Sequence, residues 1–244
     1  MLLCKMNSLR NLLSVEKMAV SFNQLAGLKR FDPPPKYPDI ELPERRRLTV
    51  LPKVPQYPPS LRPHKMQKKL RFMRGPEPHH TTFIHKQFGI VATGGGRLKQ
   101  QHFEMVRMFF LRHLPFDKTV FAIWRVDAPW QPVTKKGQGQ RMGGGKGPID
   151  HYVTPVKAGR VIVEVGGHAE YQEVKKILEN VAARLPFDAV ATTHEQMMED
   201  RKKEQWLEEN NKNPWTFKYI IQNNLCGVNN WISPVDKLYF GKYR

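Results

Sequence analysis

The chain has 244 residues, enough for one well-packed domain with extensions. Its 40 Lys and Arg residues exceed its 22 Asp and Glu residues by a formal charge of +18, which favours a nucleic-acid partner. An anionic membrane surface is the competing interpretation, but no segment approaches the roughly 18 to 20 apolar residues that span a bilayer. The two cysteines exclude a disulfide framework or a structural zinc cluster, and the scattered histidines lack a known ligand spacing, so neither metal nor cofactor is expected.

Residues 1–30 are predicted to form a mitochondrial targeting presequence. This segment is basic, and Glu16 is its single acid. The apolar residues that would share one helix face are Leu2, Met6, Leu9 and Leu13. An ordinary amphipathic helix is the alternative, whereas a secretory signal fits worse because Lys5 and Asn7 interrupt the apolar stretch. Cleavage is expected near residues 29–31.

Residues 31–80 form a proline-rich basic extension. They contain 12 of the 20 prolines, a density that predicts extended chain without regular elements. A solvated linker is one interpretation. The run of cations at Arg45–Arg47 and between Lys65 and Arg74 favours the other, a basic arm that lies along RNA and becomes ordered there.

Residues 81–193 have the pattern of a folded domain. β-Branched and aromatic residues between turn signals predict strands, and apolar residues spaced by three and four predict helices. The predicted strands are 83–92, 119–126, 151–157, 160–165 and 187–191, and the predicted helices are 98–113 and 174–185. The glycines at 94–96 are expected to end the first strand. This order indicates an α+β fold, a two-layer domain with a mainly antiparallel sheet and two packed helices.

The loop at residues 135–148 combines cations with glycines. Its cations are Lys135, Lys136, Arg141 and Lys146, and its glycines are Gly137, Gly139, Gly143, Gly144, Gly145 and Gly147. Glycines allow backbone amides to approach a phosphate closely, and the cations supply charge. A nucleotide-binding P-loop is disfavoured because Gly147 and Pro148 follow Lys146, where that motif needs Ser or Thr and then a helix. A flexible surface loop remains the other alternative.

Residues 194–244 are predicted to be a helical and aromatic C-terminal extension. A charged helix is expected to about residue 211, before Pro214. The aromatic residues of this extension are Trp206, Trp215, Phe217, Tyr219, Trp231, Tyr239, Phe240 and Tyr243. They indicate packing on the domain or on a neighbouring protein, and the sequence does not separate these two.

No catalytic residue is expected. Asp127, Asp150 and Glu164 of the domain form no paired-carboxylate or triad pattern, so the sequence predicts a protein that is not an enzyme.

Three stretches resemble the large-subunit ribosomal proteins of the bacterial L-sixteen type. They are Phe88–Leu98 with its Gly-Gly-Gly-Arg-Leu end, Trp124–Gly147 with the string Arg-Met-Gly-Gly-Gly-Lys-Gly, and Tyr152–Val161. Their order and spacing also agree with the family, over roughly residues 83–193. The presequence-like start and the two extensions favour a mitochondrial member of this family.

The resemblance implies a structural protein of the mitochondrial large ribosomal subunit in the matrix. It implies binding to large-subunit rRNA near the base of the central protuberance, with the loop near the tRNA sites and other mitochondrial ribosomal proteins as neighbours, and no homo-oligomer. The implied RNA-binding residues are Arg97, Lys135, Lys136, Arg141, Met142, Gly143, Gly144, Gly145, Lys146 and Gly147, with Lys86 and Arg125 as weaker candidates. A free-standing mitochondrial RNA-binding or maturation factor is the alternative function.

The chain departs from the family pattern at four positions. The family commonly has Arg where this chain has Gly95, Lys where it has Gly144, Trp where it has Val153 and Pro where it has Ala158. The two missing cations imply fewer RNA contacts at Gly95 and Gly144.

Overall fold

The computed structural model describes residues 42–67, 69–114 and 120–243, so the predicted presequence lies outside the described residues. The strands are β1 Phe88–Ala92, β2 Gly96–Lys99, β3 Val120–Trp124, β4 Gln131–Thr134, β5 Ile149–Val156, β6 Val161–Gly167 and β7 Ala189–Thr193. The α-helices are α1 Gln100–His113, α2 Tyr171–Ala182, α3 His194–Glu209, α4 Phe217–Gln222 and α5 Pro234–Tyr239. Short 3₁₀ helices cover Leu70–Phe72 and Leu225–Asn230.

The strands form two antiparallel sheets. The first has the order β3-β6-β1-β7, and the second has the order β2-β5-β4. In the first sheet, Phe88 of β1 lies between Val165 of β6 and Thr193 of β7. All seven residues of β6 are buried, as expected for an inner strand of a covered sheet.

The two long helices of the domain close the core of the four-stranded sheet. Phe103, Val106 and Phe110 of α1 are buried at spacings of three and four, so they share one face of the helix. Val174 and Leu178 of α2 are buried in the same way. These side chains and the strands β1, β3 and β6 contribute to one apolar cluster, in which each fully buried large side chain contributes roughly 1.5 to 3 kcal/mol.

The N-terminal extension lies against the domain. The backbone N–H of Ala122 on the edge strand β3 donates to the carbonyl oxygen of Arg46 at 2.8 Å, and the indole of Trp124 donates to Thr49 at 2.9 Å. Leu48 between them is buried in the core. An extended proline-rich chain suits this position, because an edge strand presents unpaired N–H groups that a neighbouring carbonyl can accept.

The C-terminal extension begins with a well-capped helix. The Thr193 hydroxyl accepts the N–H of Gln196 at 3.1 Å, and the Gln196 side chain accepts the N–H of Thr193 at 3.3 Å, which is a capping box. Met197 is buried, and the Arg201 guanidinium donates to the carbonyl of Thr81 at 2.6 Å. These contacts fix the start of α3 on the domain.

The structure confirms the predicted α+β fold with antiparallel pairing and packed helices, and it corrects several details. The single predicted sheet is two sheets. The first strand begins at Phe88 instead of residue 83, because the N–H groups of Ile84 and His85 bond to the Glu164 carboxylate instead of to a neighbouring strand.

The region after the first strand also differs from the prediction. The glycines at 94–96 do not simply end a strand, because Gly96 begins β2, and α1 therefore starts at Gln100 instead of residue 98. Strand β4 was not predicted, because Pro132 interrupts its pattern. The other predicted strands and the helix at 174–185 are confirmed with ends shifted by a few residues.

Candidate nucleic-acid interface

The loop at residues 135–148 is the tip of a β-hairpin. Strands β4 and β5 pair antiparallel up to the partners Thr134 and Ile149, and the N–H of Lys135 donates to the carbonyl of Pro148 at 3.2 Å. Beyond this closed base, every residue from 135 to 146 is exposed. The cationic loop therefore projects from the three-stranded sheet into solvent.

Three successive glycines shape the tip. Gly143, Gly144 and Gly145 have φ angles of 99°, 65° and 77°, a left-handed run that side chains with a Cβ rarely adopt. A Cβ at any of the three would meet nothing within 4 Å, so the backbone conformation, and not crowding, requires glycine. Met142, next to this run, is fully exposed.

Lysine side chains brace the base of the loop. The Lys136 ammonium donates to the carbonyl of Gly143 at 2.6 Å, within the loop. The Lys146 ammonium donates to the carbonyl of Met66 at 2.5 Å, while Lys65 donates to the carbonyl of Lys146 at 2.8 Å. The loop and the N-terminal extension are thus connected by two hydrogen bonds, one donated by a lysine of each segment. Lys65 and Met66 were not predicted as site residues, although Lys65 begins the basic run at residues 65–74.

Arg97 lies on the same three-stranded sheet as the loop, on β2 opposite Pro155 of β5. Its Nε and Nη2 atoms are buried and have no hydrogen-bond partner among the described residues. Buried guanidinium N–H groups are almost always satisfied in native proteins, and an anionic oxygen is their strongest acceptor. Because these two atoms are shielded from solvent, an external phosphate would reach them only after the surrounding chain rearranges.

A groove of about 520 Å³ lies between the N-terminal extension and this sheet. Its lining includes Lys53 from the extension, Lys99 from β2, and Asp150 and His151 from β5. The hydrogen bond with His151, at 2.8 Å, chiefly lowers the pKa of the Asp150 carboxyl, and the charges of His151, Lys135 and Lys99 lower it further. The carboxylate is ionised at neutral pH and offsets part of the positive charge of this groove.

Lys86 and Arg125 lie on the other sheet, next to β1 and β3. The Arg125 side chain is only 14% exposed, with its Nε 3.7 Å from the Glu164 carboxylate and its Nη2 3.2 Å from Nδ1 of His80. Lys86 is exposed. The structure therefore brings Arg97 and the loop residues onto one sheet, and it does not bring Lys86 or Arg125 to them.

Comparison with known proteins identifies the family. The sequence pattern of the family described as ribosomal protein L16p/L10e matches residues 60–191, more than half of the chain. The chain belongs to this family. It is similar to the large ribosomal subunit protein uL16 of Neorickettsia sennetsu (strain ATCC VR-367 / Miyayama), with 32% identity over 124 residues, which cover 51% of this chain and 86% of that protein.

Membership of the L16p/L10e family confirms the predicted family and the non-enzymatic role: the chain is a structural protein of the large ribosomal subunit. The family match begins at residue 60, so it includes the part of the N-terminal extension that braces the loop through Lys65 and Met66.

The structure leaves no room for a side chain at Gly95. A Cβ at this position would overlap the backbone carbonyl oxygen of Met73, which belongs to the N-terminal extension. A side chain therefore requires the extension to move. Gly144 has a φ of 65°, a left-handed conformation that disfavours lysine and other residues with a Cβ.

Among the described residues, every helix is too short or too polar to span a lipid bilayer. Those residues also contain no group of three or more His, Cys, Asp or Glu side chains arranged to hold a metal ion.

Proposed function

We propose that this chain is a structural constituent of the mitochondrial large ribosomal subunit that binds large-subunit rRNA with the loop at residues 135–148. In this proposal the loop lies near the base of the central protuberance and the tRNA sites, and the protein supports translation and subunit assembly. The observation that carries the proposal is an exposed tip containing Arg141 and Met142 on a base that is closed by strand pairing and braced by Lys146.

Charge supports RNA as the ligand of this surface. The loop has four cations and no acid, and Lys53, Lys65, Lys69 and Lys99 are further exposed cations on the extension and on β2. A polyanion neutralised by such a set releases its counterions, which gives affinity that falls steeply with salt. The exposed backbone of the glycine run adds N–H groups that can reach phosphates.

The brace supports a defined position of the loop. A loop of fourteen residues with six glycines loses much conformational entropy when it binds, at about 1 to 2 kcal/mol per residue fixed. The hydrogen bonds of Lys136, Lys146 and Lys65 fix parts of the loop before RNA is present. This arrangement lowers the entropy loss on binding.

We further propose the domain organisation and the location. Residues 1–30 act as a mitochondrial presequence, 31–80 as the basic extension, 81–193 as the rRNA-binding domain and 194–244 as a C-terminal extension. The basic, acid-poor composition of the first segment supports import into the matrix.

Photo-crosslinking and sedimentation test the function. The full chain is expressed with a photoreactive amino acid at Met142 or, as a matched control, at Met198 on α3, which is 39% exposed. We expect the protein to remain in mitochondrial large subunits after a high-salt wash and position 142 to give rRNA adducts. Loss of the protein into the free pool would instead indicate a maturation factor, and rRNA adducts from position 198 but not from 142 would refute the loop as the contact.

A further inference from the structure

Charge is distributed unevenly along the chain. Residues 194–244 contain 8 Lys and Arg residues and 7 Asp and Glu residues, so this extension has a formal charge of only +1. The preceding 193 residues carry the remaining +17. The extension therefore lacks the excess of positive charge that characterises an RNA-binding surface.

The same extension exposes large apolar side chains. Their exposed fractions are Trp206 62%, Leu207 63%, Trp215 61%, Phe217 45%, Tyr219 45%, Trp231 73% and Leu238 69%. Single exposed apolar residues are ordinary on a protein surface, but seven within 33 residues are far more than scattered exposure produces. Indole and phenol rings are also the side chains that most often anchor protein interfaces.

The exposed rings belong to an ordered segment. Ile221 and Val228 are buried, and the Tyr239 ring lies against Gly75 of the N-terminal extension. The Lys242 ammonium lies 2.9 Å from both Glu208 and Glu204 of α3, and hydrogen bonds to these carboxylates raise the pKa of Lys242. The extension is thus held to the domain and to itself while its aromatic rings remain in solvent.

We propose that residues 194–244 are a protein-docking extension in which Trp215, Tyr219 and Trp231 enter apolar pockets of a neighbouring protein of the large subunit. The proposal rests on the proposed residence in that subunit. Trp215 and Tyr219 pack edge to face with their centroids 5.8 Å apart, so they present one paired aromatic surface. The pockets that receive these apolar rings are themselves apolar.

Stacking of these rings on unpaired RNA bases is the competing explanation, and the sequence around Trp231 disfavours it, whereas Trp215 and Tyr219 have Lys212 and Lys218 nearby. Proteins that stack bases on aromatic rings combine the rings with a positively charged groove that follows the backbone. From Tyr219 to Asp236 the chain has no Lys or Arg, and Trp231, the most exposed of the rings, lies inside this stretch. Trp231 therefore lacks nearby cations on its own segment to hold a phosphate.

Crosslinking in assembled large subunits distinguishes the partners. A photoreactive amino acid at position 231 is expected to give adducts with one ribosomal protein and none with rRNA. Adducts with rRNA, adducts with a second copy of this chain, or no adduct at all would each overturn the proposal. The photoreactive residue at position 142 reports on the proposed function separately, so a failure of one proposal does not obscure the other.

Substitution provides the second measurement. Trp231→Ala combined with Trp215→Ala is expected to reduce the yield of the partner adduct, formed from a photoreactive residue at position 219, about tenfold or more. Lys176→Ala, on the exposed face of α2 and outside the extension, is the control and should leave that yield unchanged. Because both tryptophans are mostly exposed, thermal unfolding of the purified full chain should be nearly unaffected, which separates lost docking from lost folding. An undiminished yield would refute docking through these rings.

Discussion

Glu164→Gln is predicted to destabilise the domain strongly, although it only replaces one carboxylate oxygen with an amide nitrogen. The Glu164 side chain is completely buried on β6, and its carboxylate accepts the N–H groups of Ile84 at 3.1 Å and His85 at 2.6 Å. The Arg125 guanidinium is its counter-ion, with 3.7 Å between Nε and the carboxylate. This carboxylate replaces a neighbouring strand as the acceptor for the segment that leads into β1.

The size of the effect follows from these contacts. A glutamine oxygen can accept one of the two N–H groups, while its amide nitrogen faces the other as a second donor, which leaves a buried donor unsatisfied at about 1 to 3 kcal/mol. Loss of the charge also leaves the Arg125 guanidinium without its counter-ion. Because the Arg125 side chain is 14% exposed and can reach some water, we place the total at about 2 to 4 kcal/mol, below the upper range for a fully buried broken pair.

Equilibrium denaturation of the purified full chain in urea measures this loss. The matched control is Glu104→Gln on α1, where the carboxylate bonds to Arg107 at 2.7 Å but is 35% exposed, and a change within about 0.5 kcal/mol is expected. A Glu164→Gln loss as small as that of the control, with the same denaturant slope, would refute the structural role assigned to the buried carboxylate.

Three further predictions concern the loop, the N-terminal extension and the C-terminal extension. Arg141→Ala should slow translation more than Lys53→Ala, since a specific contact near bases or clustered phosphates contributes about 1 to 3 kcal/mol, and translation rate is the measurement. Gly95→Ala should destabilise the fold by roughly 1 to 3 kcal/mol in urea denaturation, because its Cβ overlaps the Met73 carbonyl. Lys242→Met should speed amide hydrogen exchange around α5 while changing global stability by less than about 1 kcal/mol, because its ion pairs to α3 are partly exposed.

Each of these predictions has an internal comparison. Equal translation rates for Arg141→Ala and Lys53→Ala would contradict the role of Arg141. Gly94→Ala is the control for Gly95, because a Cβ on Gly94 meets its nearest atom at an ordinary 3.6 Å, and equal stability of the two variants would contradict the packing described. Unchanged exchange around α5 in the Lys242 variant would contradict the role assigned to its ion pairs.

The strongest local patterns predicted their elements correctly. Helix α2 could be predicted because Val174, Leu178 and Val181 repeat at the helical spacing and the same residues are buried. The short strands β2 and β4 could not, because a four-residue strand carries little periodicity, and Pro132 suggests a break. The division into two sheets depends on which distant strands pair, and local periodicity contains no information about that.

The sequence predicted the loop as a site, but it did not predict the hydrogen bonds that hold the loop in place. Glycines and cations at 135–148 are visible in the sequence, and the structure places Arg97 on the same sheet. The brace depends on Lys65 and Met66, about 80 residues earlier in a segment without periodicity, and a backbone carbonyl as acceptor leaves no residue signature. The burial of Leu48 could not be predicted either, because nothing in the sequence distinguishes a buried leucine of a proline-rich extension from an exposed one.

In the proposed complex, the brace determines which part of the loop adapts to RNA. The carbonyls of Met66 and Gly143 already accept hydrogen bonds from the Lys146 and Lys136 ammonium groups, which fixes these groups near the base and flank of the loop. Arg141 lies beyond these fixed points, beside the left-handed glycine run. In the proposed complex with rRNA, the two lysines contribute positive charge at fixed positions, while the Arg141 side chain keeps the freedom to adapt to the RNA surface.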